Sequence, residues 1–326
     1  MSTPTSSNPL PGSVDVLVVG GGAAGLSAAV ALARARRDVL VVDAGRPRNA
    51  PAAGVHNLLT RDGLAPDELQ RLGAAEVHRF GGRVASGTAT TARRVEGGFV
   101  VGTTAGEVRA RRLVVTTGLV DDLPALPGLR EQWGRGVVHC PYCHGYEVSD
   151  QALGVLNLGP LSTHQALLFT QWTRDLVLFT HTGPEVTEPR RTELLARGVR
   201  FVDGEVAEVL STGGTLTGVR LADGSTVARA ALVVGAGVTA SSPVLDGLGL
   251  AAAPVVVLGV EVGSLYPSGP GGATAVPGVH LAGNVTDAQA QVVSSAAAGL
   301  AVGAAVNADL LGEDVAADVA AFRAAG

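Results

Sequence analysis

The sequence contains no lysine, so every cationic side chain other than the seven histidines is an arginine. Charged residues make up only 16% of the 326 residues, and the net charge is −5. Because neither a basic patch nor a basic tail stands out, nucleic acid is not an expected partner. Cysteine is almost absent as well. The two cysteines, Cys140 and Cys143, are too close in sequence to form a long-range structural disulfide.

Long hydrophobic runs are also missing. The apolar stretch 296–306 covers 11 residues, whereas a membrane helix needs about 20. Residues 1–12 are rich in Ser, Thr, Pro and Asn, without a charged start or an apolar core, and predict a disordered arm and not a signal peptide. We therefore expect a cytoplasmic protein without membrane contact.

What the sequence has in abundance is glycine, with 45 residues, and hydrophobic residues, at 46%. The length suits two domains. A strand at 14–19, a helix at 23–36 and a strand at 38–42 predict one βαβ unit. A similar pattern follows at 153–158, 162–173 and 176–179.

Between these units, the segments 83–92, 99–103 and 107–112 predict short antiparallel strands, and 113–116 predicts a buried strand. A last strand at 279–281 leads to an Ala-rich helix from about Gln289. The predicted fold is α/β, with two Rossmann-like, three-layer domains. Residues 13–119 and 240–326 would form one split domain, and residues 120–239 an inserted domain that carries the cysteines.

A glycine-rich turn follows the first predicted strand. Residues 20–25 fit the pattern G-x-G-x-x-G, in which Gly20 allows a tight turn, Gly22 a close approach to a pyrophosphate, and Gly25 close helix packing. The helix N-terminus, with Ala24 in its first turn, would face the phosphates. Asp43, at the end of the next strand, is placed to bind a ribose. The alternative is a purely structural glycine turn.

The C-terminal region favours FAD over NAD. Residues 277–284 resemble the second FAD signature of flavoprotein reductases, with Asn284 in place of the usual acid after Gly283. The amide of Asn284 can hydrogen-bond a ribityl hydroxyl. The helix that begins near Gln291 and Val292 would direct its N-terminus at the flavin.

The pair Cys140 and Cys143 has the C-x-x-C spacing of a redox site. One thiolate attacks a sulfur and the other resolves the mixed disulfide. A zinc site would need about four ligands, and haem attachment would need an exported protein, so both alternatives are weaker. His139 and His144 flank the pair and are candidate proton carriers, with His144 favoured. Glu147 is a weaker candidate.

With these motifs, the sequence resembles the low-molecular-weight thioredoxin reductases over nearly its whole length. The resemblance implies FAD in the split domain, a homodimer, Cys143 facing the flavin, and Cys140 attacking the substrate. Gly118, after the strand at 113–116, and Asn57 complete the expected cofactor-binding set. The string at 140–147 is more similar to the FAD-dependent dithiol oxidases that close disulfides in gliotoxin- and holomycin-type natural products. Thioredoxin reductases typically have an acid where His144 stands.

The phosphate loop of the inserted domain departs from the family pattern. Asn157 replaces its first glycine, and Pro160 removes a backbone donor. The family's His-Arg-Arg run for the 2′-phosphate corresponds here to His181 followed by Thr182 and Gly183. These departures argue against NADPH binding.

Three functions follow from these observations. The first is an FAD-dependent oxidase that acts on a small-molecule dithiol, with oxygen or another acceptor. The second is an NAD(P)H-dependent reductase of a thioredoxin-like protein, which runs the same chemistry in reverse. The third is a non-catalytic flavin-binding regulator, against which the intact cysteine pair argues. No metal is expected.

Overall fold

The computed structural model describes residues 10–325, so residues 1–9 of the predicted disordered arm lie outside the described residues. The strands, in chain order, are β1 (Ser13–Val19), β2 (Val39–Asp43), β3 (Arg83–Ser86), β4 (Ala89–Val95), β5 (Gly98–Thr103), β6 (Gly106–Val115), β7 (Val120–Asp122), β8 (Val137–Val138), β9 (Leu153–Leu156), β10 (Leu176–Phe179), β11 (Arg200–Val202), β12 (Val206–Thr212), β13 (Thr215–Leu221), β14 (Thr226–Ala228), β15 (Ala231–Val233), β16 (Gly237–Thr239), β17 (Ala253–Val257), β18 (Val260–Leu265) and β19 (Val279–Leu281). The helices are α1 (Ala23–Arg34), α2 (Pro66–Arg79), α3 (Leu129–Gln132), α4 (Pro141–His144), α5 (Pro160–Phe169), α6 (Arg190–Ala196), α7 (Pro243–Gly247) and α8 (Val292–Ala325).

The first sheet combines parallel and antiparallel strands. Strands β3, β2, β1, β6 and β19 are parallel, and β6, β5 and β4 form an antiparallel meander. Strand β6 is shared: its first half pairs with β5 and its second half with β19. This sharing places the end of β19 beside the ends of β1 and β6, where a dinucleotide would bind in an α/β sheet.

Two expected strands are wrong in this region. The segment predicted as one antiparallel strand at 83–92 is two strands, and β3 pairs in parallel with β2. Gly87 separates them, because it interrupts the run of strand-forming residues. Conversely, the separate strands expected at 107–112 and 113–116 belong to the single strand β6. Its first half alternates between exposed and buried residues, whereas its last three residues are all buried.

The core of the first domain lies on both faces of this sheet. Helices α1 and α8 cover one face, and buried residues of α7 and β18 pack in the core on the other. Small residues bring the two helices close: a Cβ on Gly299 would lie 2.0 Å from the Ala24 carbonyl oxygen. The close helix packing expected for an Ala-rich helix therefore occurs directly behind the glycine-rich turn.

The second domain has the same three-layer construction. Its sheet, in the order β11-β10-β9-β15-β8, is entirely parallel. Buried residues of α5 and α6 cover one face, and the antiparallel strands β12 and β13 cover the other. The predicted fold class, two Rossmann-like three-layer domains in an α/β chain, is confirmed.

The chain passes between the domains at β7 and β16. These two strands pair in an antiparallel arrangement and share a sheet with β17 and β18. The predicted boundaries at 119/120 and 239/240 lie at the start of β7 and the end of β16.

Helix α8 is longer than the 11-residue apolar stretch that the sequence suggested. It has 34 residues, and by length and composition alone it could cross a membrane. Its acidic side chains, however, form ion pairs with arginines of the first domain: Arg37–Asp314, Arg111–Glu313, Arg111–Asp314, Arg112–Asp309 and Arg112–Glu313. These ion pairs and the packing on α1 hold α8 against the first domain.

Candidate functional site

The glycine-rich turn is shaped by steric limits that only glycine meets. Gly20 has φ +103°, and a Cβ there would lie 2.5 Å from the Thr116 carbonyl oxygen. A Cβ on Gly25 would lie 1.9 Å from the Gly20 carbonyl oxygen, which explains the third glycine of the pattern. Gly22 is different, because a Cβ there would have no neighbour within 4 Å. It faces open space at the N-terminus of α1, where an anionic group would approach.

Asp43, at the end of β2, fixes this turn. One carboxylate oxygen accepts a hydrogen bond from the Gly21 N–H at 2.5 Å, and the other accepts one from the Gly45 N–H at 2.7 Å. A carboxylate has about four acceptor positions, so Asp43 keeps capacity for ribose hydroxyls. Gln70 of α2 also donates to the Gly21 carbonyl oxygen at 3.2 Å.

A cavity of about 340 Å³ adjoins this turn. It is lined mainly by small apolar residues together with two polar ones: Gly45, Pro47, Ala50, Ala52, Ala53, Ala65, Pro66, Asp67 and Gln70. Its position beside the Asp43 carboxylate makes this cavity a candidate site for the nucleoside end of a dinucleotide.

The end of β19 completes the cofactor site. Gly283 has φ +77°, and a Cβ there would lie 3.0 Å from the Ala24 Cβ, so the two glycine signatures are adjacent. The Asn284 side-chain NH₂ donates to the carbonyl oxygens of Asp287 and Ala290, at 2.9 and 3.0 Å. These bonds leave the amide oxygen of Asn284 as an acceptor.

The predicted cofactor residues thus lie in two places. One group surrounds the N-termini of α1 and α8. It consists of the glycine-rich turn, Ala24, Asp43, Gly283, Asn284, Gln291 and Val292. Gly118, with φ +73°, follows two residues after Thr116, whose hydroxyl donates to the Gly20 carbonyl oxygen. Asn57 lies elsewhere, against residues 139–147, which contain the two cysteines and are called the cysteine segment below. The residues at the helix N-termini fit a dinucleotide: a phosphate would meet free N–H groups, and a ribose would meet Asp43.

Cys140 and Cys143 are free thiols at the start of the one-turn helix α4. Cys140 accepts hydrogen bonds from the Cys143 thiol and from the backbone N–H groups of Cys143 and Tyr142, which lower the pKa of Cys140 to about 7. The same thiol hydrogen bond, with burial, raises the pKa of Cys143 above its ordinary value. Cys140 is therefore the sulfur that carries the negative charge, which makes it the better nucleophile and leaving group near neutral pH.

His139 is held in an apolar setting. Its ring stacks on Trp133, with centroids 5.4 Å apart, and Gln165 donates to its carbonyl oxygen at 2.7 Å. Burial, and then the nearby Arg48 guanidinium, lower the pKa of His139 to about 4. At neutral pH the ring is uncharged and a weak base.

His144 is the better placed of the two histidines for proton transfer. Burial lowers its pKa, and the Glu147 carboxylate partly opposes that effect. Its Nδ1 is buried and has no hydrogen-bond partner within residues 10–325. An unpartnered buried ring nitrogen is costly to keep and is typical of a functional group.

A segment of the first domain contacts the cysteine segment. This segment, residues 55–64, is called the 55–64 loop. A hydrogen bond from the Val55 N–H to the Leu64 carbonyl oxygen, at 2.8 Å, joins its two ends. Asn57 donates from its side chain to the Tyr142 carbonyl oxygen at 2.5 Å. His56 lies 3.3 Å from the Glu147 carboxylate. The two domains therefore meet at the cysteine pair.

Four of the five tryptophan and tyrosine residues lie near the cysteine pair. The chain has two tryptophans and three tyrosines. Trp133 stacks on His139, Trp172 packs edge-on against Tyr142, and Tyr146 follows α4, which leaves only Tyr266 elsewhere. Tyr142 is 57% exposed and Tyr146 is 80% exposed. These two rings form an apolar, accessible surface beside the cysteines.

The phosphate loop of the second domain is occupied by its own side chains. Asn157 is buried and accepts a hydrogen bond from the Gly159 N–H at 3.2 Å. The Ser162 hydroxyl accepts one from the Leu158 N–H at 3.0 Å. Pro160, the first residue of α5, has no N–H to offer. The backbone donors of residues 158 and 159 are thus already used within the loop.

His181, at the position of the family's 2′-phosphate run, uses one ring nitrogen within its own domain. His181 has φ +45°, and its Nδ1 accepts a hydrogen bond from the Val206 N–H at 3.1 Å. No three His, Cys, Asp or Glu side chains of residues 10–325 converge as a metal-binding group.

Sequence reasoning missed the groups that the first domain contributes to the cysteine pair. Arg48 forms a two-point ion pair with Asp121, at 2.9 and 2.5 Å, and His56 lies between Asp62 and Glu147. Each of the two cross-domain pairs joins residues more than 70 positions apart. No local motif marks them, although Asp62 and His56 are close enough in sequence to suggest a shared turn.

The chain matches the family described as pyridine nucleotide-disulphide oxidoreductase over residues 14–300. It is 32% identical to thioredoxin reductase tcpT of Claviceps purpurea, covering 83% of this chain and 86% of that protein. It is 30% identical to thioredoxin reductase sirT of Leptosphaeria maculans, covering 94% and 97%. The crystal structure of HlmI superposes with a TM-score of 0.88 at 43% identity, covering 98% of this chain and 99% of HlmI. An oxidoreductase from Agrobacterium tumefaciens gives 0.85 at 34% identity, covering 92% and 99%.

Proposed function

The chain belongs to the pyridine nucleotide-disulphide oxidoreductase family, and from that premise we propose that it oxidises a small dithiol to a disulfide through Cys140, Cys143 and FAD. Oxygen or another acceptor would take the electrons. The resemblance to thioredoxin reductases supports the disulfide chemistry, and the similarity of residues 140–147 to dithiol oxidases supports the direction.

The observation that carries the direction of electron flow is the filled phosphate loop of the second domain. The Asn157 side chain accepts a hydrogen bond from the Gly159 N–H, and the Ser162 hydroxyl accepts one from the Leu158 N–H. Pro160 has no N–H to donate. A dinucleotide pyrophosphate needs such free N–H groups at the helix N-terminus. The occupied N–H groups of residues 158 and 159 support a dithiol, rather than NADPH, as the source of the electrons.

The residues of the cysteine segment explain the steps. A substrate thiolate attacks the Cys140 sulfur of the oxidised pair, the Cys140–Cys143 bond breaks, and Cys143 leaves as a thiol. The second substrate thiolate then attacks the substrate sulfur of the mixed disulfide, and Cys140 leaves with the electron pair. The low pKa of Cys140 makes it a good leaving group in this second step. The substrate has lost two electrons and two protons, and the cysteine pair has gained both electrons.

Proton transfer falls to His144. It follows Cys143 directly in the chain, and its ring would take up a proton released by a substrate thiol and return it to Cys143. Bound FAD would supply a two-electron acceptor for the reduced pair and a route to the final acceptor. Gly22 and the N-terminus of α1 would hold its pyrophosphate, Asp43 its ribose, and Asn284 its ribityl chain.

The exposed aromatic surface supports a small substrate. Tyr142 and Tyr146 offer flat apolar faces beside the cysteines, and Leu59 of the 55–64 loop is 87% exposed. A ring-bearing dithiol would bury these faces, and each stacked aromatic pair contributes about 0.5–1.5 kcal/mol.

Oxygen uptake tests this function. The purified flavin-loaded protein, mixed with dithiothreitol in air, should consume oxygen, whereas Cys140→Ser and Cys143→Ser should not. Thr192→Ser, on the exposed helix α6, is a control that should keep the full rate. Oxygen uptake by both cysteine variants at the wild-type rate would show that the pair is not the working group.

The second candidate is an NAD(P)H-dependent reductase of a thioredoxin-like protein. It is favoured by the names of the curated relatives, which are thioredoxin reductases. Reduction of a thioredoxin by this chain with NADPH, at a rate that exceeds its dithiol oxidation, would establish it. On the same resemblance we propose a cytoplasmic homodimer, which light scattering after size exclusion would test for oligomeric state.

A further inference from the structure

His56 lies between two carboxylates that come from different domains. Its Nδ1 is 3.3 Å from the Asp62 carboxylate, and its Nε2 is 3.3 Å from the Glu147 carboxylate. The His56 side chain is 19% exposed, whereas Asp62 is 68% and Glu147 is 38% exposed. The ring is thus the inner member of a three-group chain that crosses from the 55–64 loop to the cysteine segment.

The 55–64 loop fixes the orientation of this ring. The second Asp62 oxygen accepts a hydrogen bond from the Asn57 N–H at 2.8 Å, so the carboxylate is held by its own loop. Asn57 in turn donates to the Tyr142 carbonyl oxygen, between the two cysteines. With one nitrogen directed at Asp62, the other can only face Glu147.

Glu147 connects this contact to the chemistry. It lies three residues after His144, and its carboxylate opposes the effect of burial on the pKa of His144. The charged and titratable groups around His56 are Asp62 from its own loop, and Glu147 and His144 from the cysteine segment. A displaced Glu147 would change the electrostatic field at His144.

We propose that His56 is a positioning residue, which holds the Glu147 carboxylate beside His144 and keeps the cysteine segment seated on the 55–64 loop. The proposal rests on the proposed function in one respect: the effect is read as a change in the rate at which a dithiol reduces the flavin. The 3.3 Å contact between Nε2 and the Glu147 carboxylate, an ion pair when the ring is protonated, is the one that matters. The Nδ1 hydrogen bond to Asp62 orients the ring for it.

Two substitutions separate these two bonds. In His56→Asn, the amide NH₂ can replace Nδ1 and reach Asp62, but it falls short of Glu147. In His56→Gln, the amide reaches about as far as Nε2 and can still donate to Glu147. His78→Gln, at the exposed end of α2, is the matched control.

The first measurement is anaerobic stopped-flow reduction of the flavin by saturating dithiothreitol. His56→Asn should lower the rate constant about fivefold, the upper end of the effect of losing one ion-pair contact with a partly exposed carboxylate. His56→Gln should stay within about threefold of the wild type, and His78→Gln should equal it. Glu147→Gln combined with His56→Asn should be no slower than the worse single variant, because both changes break one contact.

The second measurement does not depend on electron transfer to the flavin. Alkylation of reduced Cys140 by iodoacetamide should be faster in His56→Asn than in the wild type and unchanged in His56→Gln, because only the first releases the cysteine segment. Equal behaviour of the two variants in both measurements, or a larger effect of His56→Gln, would overturn the proposal. A wild-type flavin that dithiothreitol fails to reduce would count against the proposed function, and alkylation would still decide the role of His56.

Discussion

Gly22→Ala should weaken cofactor binding and leave the stability of the apoprotein unchanged, whereas Gly25→Ala should lower that stability. Gly22 has φ −77°, which alanine adopts freely, and a Cβ there meets no protein atom within 4 Å. A Cβ on Gly25 would lie 1.9 Å from the Gly20 carbonyl oxygen and 2.6 Å from the Thr116 Oγ1. The first substitution therefore intrudes only on what binds in the open space, whereas the second distorts the turn itself.

The magnitudes follow from these distances. In Gly25→Ala the clash is with backbone, which cannot rotate away, so we expect a loss of about 1–3 kcal/mol of folding free energy. This corresponds to a fall in Tm of about 2–4 °C per kcal/mol for a domain of roughly 150–250 residues. In Gly22→Ala the apoprotein Tm should not change. The methyl group would push a phosphate from the N–H groups of α1 and weaken one or two charge-assisted hydrogen bonds of about 1.5–3 kcal/mol each. FAD should then bind at least about tenfold more weakly.

The assay is thermal unfolding of the apoprotein together with FAD titration by fluorescence quenching. Gly12→Ala, at a position where a Cβ also meets nothing within 4 Å, is the control for both. If Gly22→Ala bound FAD as tightly as the wild type, the open side of the turn would not be the phosphate site. If Gly25→Ala left the apoprotein Tm unchanged, the turn would be more adaptable than its contacts indicate.

Three further results are expected. The rate of iodoacetamide alkylation of Cys140 should rise with pH around a midpoint near pH 7, because its pKa is lowered to about 7; a midpoint near 9 would contradict the hydrogen bonding described. Gly145→Ala should slow dithiol oxidation at unchanged flavin content, because a Cβ would lie 2.7 Å from the Trp172 ring; a normal turnover number would contradict it. Asp43→Asn should weaken FAD binding about tenfold in calorimetry, since an amide NH₂ cannot accept one of the two backbone hydrogen bonds now made; unchanged affinity would remove the predicted role of the carboxylate.

The sequence predicted those parts of the fold that have a strong local pattern. The βαβ unit around Gly20 was clear because an apolar strand, a glycine turn and an amphipathic helix follow one another. Helix α2 was missed, although Pro66 at its first position and Asp67 and Glu68 in its first turn are typical of a helix start. The two halves of β6 were separated because one is half-exposed and the other buried, and periodicity alone does not join them.

The candidate site was predictable where its residues are close in sequence. Cys140, Cys143 and the histidines beside them form one short string. The two glycine signatures are recognisable from the spacing of their own residues. The pairs that join the domains, Arg48 with Asp121 and His56 with Glu147, could not be predicted, because the topology alone brings them together. The contact of Asn57 with the Tyr142 carbonyl oxygen was likewise outside what spacing can indicate.

The unequal environments of His139 and His144 are a second property that only the structure provides. Their positions, one on each side of the cysteine pair, give no reason for different proton affinities. Stacking on Trp133 and the nearby Arg48 distinguish the first ring, and an unpartnered Nδ1 distinguishes the second. Burial and neighbouring charge, which arise from the tertiary fold, set these differences.

The most direct test of the central claim is anaerobic reduction of the bound flavin, followed by absorbance, with dithiothreitol and NADPH in parallel. The filled phosphate loop at Asn157 and the reactive Cys140 predict rapid bleaching by dithiothreitol and none by NADPH on the same timescale. Rapid bleaching by NADPH, with dithiothreitol slow or without effect, would contradict the proposed direction of electron flow.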